Sequence, residues 1–216
     1  MIQEFEISSQ RVCMLPQRVL YLPKYHAILV ADLHFGKVNH FRKSGLAVPV
    51  LANEKNAALL IDVIQQTKPK RVIFLGDLFH SHYNQEWETV GQIVQHFVEV
   101  SFELVLGNHD ILSKQQYVRH TIKVHEGSLA LGRWLLTHEP MTIEKIPEGF
   151  YNLAGHIHPG VRLQGAAKQA LLLPCFYFGK KQGLLPAFGS FTGLARIYPK
   201  VDERVFVLAE RKVIAV

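Results

Sequence analysis

Aspartate and histidine residues recur in short polar motifs that directly follow apolar segments of this chain. Four apolar runs end in "ADLH", "GDLFH", "GNHD" and "GHIH", and a fifth ends in "LLTH". Carboxylate, imidazole and amide oxygen ligands together suit borderline divalent ions such as Mn, Fe or Zn, whereas Ca and Mg prefer oxygen ligands alone. The motifs therefore predict a metal centre. Their polar residues are Asp32, His34, Asp77, His80, Asn108, His109, Asp110, His138, His156 and His158.

The number and spacing of these residues indicate two ions. Asp32 and His34, like His156 and His158, are two residues apart, so on an extended backbone both members of a pair project to the same side. Six or seven candidate ligands are too many for one ion and enough for two. Asp77 stands alone at the end of its apolar run, which makes it the candidate for a carboxylate shared between the ions.

Three of the apolar segments are predicted strands that alternate with two predicted helices. The first helix is expected to have Asn53 as its N-cap and to stop before Pro69. The second is expected to run from about Gln85 to Val100. Its predicted apolar side consists of Trp87, Val90, Val94, Phe97 and Val98. This alternation predicts a parallel sheet covered by helices, in which residues beyond the carboxyl ends of the strands meet at one crevice.

The second half of the chain has a different pattern. Short apolar segments such as "RWLLTHEP" and "ALLLPCFYFG" are separated by glycine, proline and charged turns, and helical periodicity is missing there. Without a repeat or a linker, the two halves are expected to pack as two sheets of a single domain over residues 1–216.

Composition and charge favour a cytoplasmic protein and are compatible with a nucleic-acid partner. Lysine and arginine exceed aspartate and glutamate by six, which suits a polyanionic partner such as nucleic acid, although a solubilising surface would show the same excess. Two cysteines do not form a disulfide framework. No apolar run approaches the roughly 18 residues of a membrane helix, so a cytoplasmic protein without a membrane partner is expected.

The ordered motif set resembles the calcineurin-like metallophosphoesterase superfamily across Ala31 to His158. This resemblance implies an α/β fold, a four-layer αββα sandwich of two mixed β-sheets flanked by helices. It implies a two-metal site at one edge of the sheets, with manganese expected and iron or zinc as alternatives. One ion would bind Asp32, His34, Asp77 and His158, and the other Asp77, Asn108, His138 and His156. His109 would contact the substrate phosphate and protonate the departing oxygen.

Two further likenesses point toward DNA. "GDLFH" followed by "GNHD" resembles the double-strand-break repair nucleases of the superfamily, which implies that His80 orients His109. The segments "ADLHFGK", "FRKSGLAVP", "LGDLFHS", "LLLPCFYF" and "LPAFGSFTG" resemble the ligase-associated DNA damage response endonuclease family PdeM, from about residue 20 to residue 195.

The implied activity is hydrolysis of phosphodiester bonds by a metal-bridged hydroxide, in an endonuclease of DNA repair. DNA or another phosphodiester is the expected substrate, and repair proteins such as a ligase and a helicase are the expected partners. The side chains expected to contact flanking phosphates are Lys37, Arg42, Lys43 and Arg162. Two alternatives stay open: a phosphodiesterase or pyrophosphatase for a small nucleotide or other phosphoester, and a metal-free interaction scaffold.

Overall fold

A mixed sheet in the first part of the chain carries three of the motif-bearing strands. The computed structural model describes residues 2–36, 51–164, 170–189 and 192–216, with the backbone alone at 51–54. Within these ranges the first sheet has seven strands in chain order. They are β1 Gln3–Ile7, β2 Gln10–Leu15, β3 Val19–Leu22, β4 Ala27–Ala31, β5 Arg71–Leu75, β6 Ser101–Val105 and β7 Lys123–His125. Neighbours are antiparallel from β1 to β4 and parallel from β4 to β7.

Helices cover one face of this sheet. In the described ranges they are α1 Leu51–Thr67, α2 Glu86–His96 and α3 Lys114–Arg119. Leu60 of α1 and Trp87 of α2 are buried in one cluster with Val72 and Phe74 of β5. Burying such a side chain stabilises the fold by about 1.5–3 kcal/mol, so this interface fixes the helices that connect the parallel strands.

The second sheet is built from the short strands of the second half. They are β8 Ser128–Leu131, β9 Trp134–Thr137, β10 Tyr151–Ala154, β11 Pro159–Gln164, β12 Ala170–Phe178, β13 Gln182–Leu184, β14 Ala195–Arg196, β15 Arg204–Ala209 and β16 Lys212–Ala215. Their order is β14-β11-β12-β13-β10-β9-β8, with β15 paired to β12 and β16. Because β9, β10 and β13 are parallel and the β8–β9 and β12–β13 pairs are antiparallel, this sheet is mixed as well.

The two sheets pack face to face, as β4 shows. Its sequence "AILVA" is buried throughout: Ile28 and Val30 belong to the helix-facing cluster, while Leu29 and Ala31 face the second sheet. This alternation is the period of two of a strand whose two faces are both covered. Trp134 of β9 and aromatic residues of β12 fill the layer between the sheets.

These observations confirm the fold class. Two mixed sheets form a sandwich, and in the described part of the chain all three α-helices contribute to the cluster on the outer face of the first sheet. The outer face of the second sheet is packed by a small cluster that includes Val161, Cys175 and Val207. Among the described residues, no helix has the length and apolar character needed to cross a bilayer.

Two details of the helix predictions are wrong. α1 begins at Leu51, so Asn53 lies inside the helix and is not its N-cap. α2 ends at His96, because Phe97 leaves the helical region with φ −112° and ψ 59°. Val98 therefore falls outside the helical phase and is 79% exposed rather than part of the apolar side.

Candidate metal centre

The predicted ligands meet at one edge of the sandwich because the strands that carry them end level with each other. In the first sheet Ala31 lies opposite Leu75, and Leu75 lies opposite Val105. In the second sheet Thr137 lies opposite Ala154. Each of these residues ends its strand, and every predicted ligand follows within four residues. The convergence expected for parallel strand ends is thus observed, and two sheets rather than one supply it.

The ligand loops do not have the extended backbone that their spacing suggested. Five of the predicted metal ligands have left-handed backbone angles instead. They are Asp32 (φ 53°), His34 (φ 51°), Asp77 (φ 49°), His156 (φ 65°) and His158 (φ 52°). Such conformations cost about 1–3 kcal/mol each in residues other than glycine, and they persist where the surroundings over-determine them. The loop at Asp32 is indeed held by the loop at Asp77, since the His34 amide donates to the Asp77 carbonyl at 2.8 Å.

The first group of ligand atoms comprises Asp32, His34 and His158, whose donor atoms lie within 4.8 Å of one another. Nδ1 of His158 donates to the Gly193 carbonyl at 3.2 Å, which leaves its Nε2 as a lone-pair donor 3.5 Å from Asp32 Oδ1. Asp32 is fully buried, and its Oδ1 receives no hydrogen bond from the described residues. A buried carboxylate oxygen without a donor is costly unless a cation compensates it.

The second group surrounds His138. Its Nδ1 donates to the Leu75 carbonyl at 3.0 Å, so in the neutral imidazole Nε2 carries the lone pair. That nitrogen lies 2.9 Å from Asn108 Oδ1, 3.1 Å from His156 Nδ1 and 3.4 Å from Asp77 Oδ1. Several electron-pair donors around one point repel one another, and a divalent ion bound between them would remove that repulsion. The donor set therefore fits a metal ion.

Asp77 lies between the two groups. Its Oδ2 is 3.8 Å from His34 Nε2, and its Oδ1 is 3.4 Å from His138 Nε2, so each oxygen faces a different group. The side chain is only 3% exposed. Asp77 therefore lies within reach of both groups, and its role as a bridging carboxylate stays a prediction. Asp32 is also closer to His138 than the resemblance implied, since Asp32, Asp77 and His138 lie within 4.8 Å of one another.

His109 lies on the solvent-exposed side of this cluster. Its side chain is 42% exposed, and its Nε2 lies 4.0 Å from Asp77 Oδ2. The His109 amide donates to Asp77 Oδ1 at 3.0 Å, which fixes the main chain beside the ligands. The His80 ring lies against the His109 ring with centroids 3.8 Å apart and planes inclined by 34°. The neighbourhood predicted for these two imidazoles is present.

Asp110, the last residue of "GNHD", forms contacts that the sequence did not predict. Its carboxylate accepts hydrogen bonds from the Phe79 amide at 3.1 Å and from the Gly107 amide at 2.9 Å. It thereby joins the loop that bears Asp77 to the loop that bears Asn108. Burial raises the pKa of the Asp110 carboxyl to about 7, with the Asp77 charge as a further contribution. The "GNHD" motif hinted at this residue, but its partners are set by the tertiary structure alone.

Of the four residues predicted to contact flanking phosphates, the structure describes one, Arg162. Lys37, Arg42 and Lys43 lie outside the described residues. Arg162 is exposed within β11, which follows His158, so its contact with a phosphate stays a prediction.

The fold and this cluster define a metal-dependent phosphoesterase, and comparison with protein families agrees. The family model described as Calcineurin-like phosphoesterase matches residues 25–169, and the chain belongs to that family. The matched range contains every predicted ligand. A comparison with curated proteins gives no significant match.

Among solved structures, the nuclease MPE of Pseudomonas putida is similar over its whole length. It shares 28% identity, with 100% of each chain covered and a TM-score of 0.84. This agrees with the resemblance to the PdeM family. A protein of unknown function from Aquifex aeolicus has 18% identity over 61% of this chain and 78% of its own, with a TM-score of 0.44. A phosphoesterase-like protein from Streptococcus pneumoniae has 13% identity over 83% and 80%, with a TM-score of 0.32. The last two similarities are too low to inform the function.

Proposed function

We propose that this chain is a DNA endonuclease of DNA repair that hydrolyses phosphodiester bonds with two divalent metal ions. The observation that carries the proposal is the close ring contact between His80 and His109 beside the two ligand groups. The full-length similarity to a nuclease supports it, as does the net charge of +6, which favours a polyanionic substrate.

The ligand sets follow the two groups of donor atoms. Asp32, His34, Asp77 and His158 would hold one ion, and Asp77, Asn108, His138 and His156 the other. Manganese is our proposed metal, since the donors are mixed oxygen and nitrogen atoms. When bound, such ions neutralise charge on the phosphate and acidify a water molecule. The protein's own contribution is to hold two buried carboxylates and four imidazoles in place before substrate arrives.

His109 would supply the proton. Hydrolysis forms a bond from a water oxygen to phosphorus and breaks the bond to the departing ester oxygen, which then needs a proton. The His109 ring is 42% exposed and lies 4.0 Å from Asp77 Oδ2, so it would face a phosphodiester bound at the ligand groups. His80 would keep the His109 ring in one orientation through their contact, so that the proton points at the departing group. We also propose that residues 1–216 form a single domain and that the protein acts in the cytoplasm.

A paired substrate assay tests this function. Wild type is incubated with Mn²⁺ and either bis-p-nitrophenyl phosphate or a labelled single-stranded DNA, beside His109→Ala and Asp77→Ala. His96→Ala serves as the matched control, because His96 is an exposed histidine at the end of α2. We expect wild type and the control to cut both substrates. His109→Ala should lose at least about a hundredfold in turnover while it keeps its metal, and Asp77→Ala should lose metal as well.

The outcomes separate the alternatives. Hydrolysis of the small diester without cleavage of DNA would favour a phosphodiesterase or pyrophosphatase for a small nucleotide. No hydrolysis with any divalent metal would favour an interaction scaffold. Full activity of metal-free Asp77→Ala would refute the ligand assignment.

A further inference from the structure

A cleft opens directly beside the second group of ligands. It has a volume of about 600 Å³, and Asn108 and His138 are among the residues that line it. Cavities that hold small organic groups usually measure about 300–1,000 Å³, so this cleft can take a substantial part of a substrate. Its walls include Leu106, Ser128, Glu139, Met141, Thr142 and Lys145.

The wall formed by residues 139–142 is fixed by a buried hydrogen-bond network around Asn152. The Asn152 side chain is fully buried, and its amide group donates to the Leu135 carbonyl and to Thr137 Oγ1, each at 2.8 Å. Its Oδ1 accepts from the Met141 amide at 3.0 Å and from Gln182 Nε2 at 2.9 Å.

Two further bonds complete this network. Thr137 Oγ1 donates to the Glu139 carbonyl at 2.7 Å, and Gln182 Nε2 donates to the Met141 carbonyl at 2.8 Å. The segment that follows the ligand His138 is thus anchored to three strands, β9, β10 and β13. A wall held in this way is preorganised, so a bound group loses little energy in ordering it.

The chemistry of the walls fits a nucleoside better than another phosphate. Besides the ligand His138, the charged side chains that line the cleft are Glu139 and Lys145, whose charges cancel. Leu106 and Met141 offer apolar surface for a base, and Ser128 and Thr142 offer hydroxyl groups for a sugar or a base edge. A second phosphate would find one cation opposed by one carboxylate, and its attraction would be weak.

We propose that this cleft binds the nucleoside attached to the scissile phosphate, so that the enzyme prefers nucleotide diesters to simple ones. The proposal rests on the proposed phosphodiesterase function. It assigns the cleft to the nucleoside next to the bond that is cut. In this arrangement the Met141 side chain packs against the base, and Ser128 also contacts the nucleoside.

Two substrates with the same leaving group test the cleft. Thymidine 5′-(p-nitrophenyl phosphate) and methyl p-nitrophenyl phosphate both release p-nitrophenol and differ in the other ester group. The measured quantity is the ratio of their kcat/KM values with Mn²⁺ present. In wild type we expect the thymidine ester to be favoured by about tenfold or more, the discrimination that a few added contacts provide.

Ser128→Trp fills the cleft from an exposed position of β8, and Ala130→Trp is the matched control. Ala130 is also exposed, lies two residues along the same strand and does not line the cleft. We expect Ser128→Trp to bring the ratio close to one through a higher KM for the thymidine ester, while Ala130→Trp keeps the wild-type ratio. Binding of thymidine 5′-monophosphate, measured by calorimetry, should weaken in parallel.

Two results would overturn the proposal: a wild-type ratio near one, and an unchanged ratio in Ser128→Trp. If the ratio is unchanged because both substrates lose activity equally, the cleft merely supports the metal centre. Failure of wild type on both esters would instead reject the phosphodiesterase function itself, so the two failures are distinguishable.

Discussion

Gly76 separates β5 from the proposed bridging ligand, and replacing it by alanine should displace another ligand. The Cβ of an alanine at this position would lie 2.1 Å from Nδ1 and 2.3 Å from Cγ of His138, where an ordinary contact needs about 3.4 Å. The imidazole would have to retreat by about 1 Å. A displacement of this size in an active site costs on the order of a hundredfold in rate. It would also break the bond from His138 to the Leu75 carbonyl.

Backbone strain can be separated from this steric effect. Gly76 has φ +74°, and a left-handed alanine costs about 1–2 kcal/mol by itself. Gly149 has φ +79°, and nothing lies within 4 Å of its built Cβ. Gly149→Ala therefore carries the backbone cost alone, and we expect it to lose about 1–2 kcal/mol of unfolding free energy with full activity and metal content.

The assay compares the two alanine variants in three measurements: hydrolysis of bis-p-nitrophenyl phosphate with Mn²⁺, metal content after dialysis, and urea unfolding. Gly76→Ala should lose about a hundredfold in kcat and part of its bound metal, and its loss of unfolding free energy should exceed that of Gly149→Ala. If the two variants are equally active and bind equal metal, the contact between Gly76 and His138 does not position the ligand, and our account of this loop is wrong.

Three further results are expected. Burial lowers the pKa of the His120 imidazole beside Trp87, so below about pH 6.5 the unfolded chain binds a proton more readily than the folded chain and the free energy of unfolding decreases as pH falls. His120→Phe should therefore flatten the fall in melting temperature from pH 7.5 to 5.5. The variant His96→Gln, at an exposed position, should leave that fall unchanged. Asn152→Ala leaves several buried partners unpaired and should cost about 3 kcal/mol in urea unfolding; a loss below about 1 kcal/mol would contradict the network. Chelation of divalent ions should abolish hydrolysis and lower the melting temperature of wild type, and Asp77→Ala should show no such thermal response to Mn²⁺.

A histidine outside the motifs, His125, has a structural contact, so residue type alone does not identify a metal ligand. His125 Nε2 donates a hydrogen bond to Glu103 Oε2 at 2.9 Å, and Arg71 donates two hydrogen bonds to the same carboxylate. The Arg71 and His125 partners lower the pKa of the Glu103 carboxyl against the opposing effect of its burial. This network lies across β5, β6 and β7 and stabilises the sheet. His125 is thus a structural histidine within its strand, whereas the predicted ligands lie beyond the ends of theirs.

The sequence by itself determined which metal-binding residue types follow the strands and the order of the strands and helices. The apolar runs "AILVA", "RVIFL" and "SFELV" became β4, β5 and β6 because a continuous apolar stretch of strand length is stable only when both faces are buried. The polar residues after them are local in sequence, so the ligand types and the likeness to a family could be read directly. Asp77 could be singled out for the same reason.

Only the tertiary structure decided how the ligands face one another. The left-handed backbone at Asp32 and His34 contradicts the extended conformation that their spacing suggested, because contacts between loops distant in sequence outweigh local preference. The free lone pair of His138 depends on a carbonyl 63 residues away, and the wall beside it depends on Asn152. Such contacts leave no periodic signal in a single chain, since they join segments whose proximity exists only after the two sheets have packed.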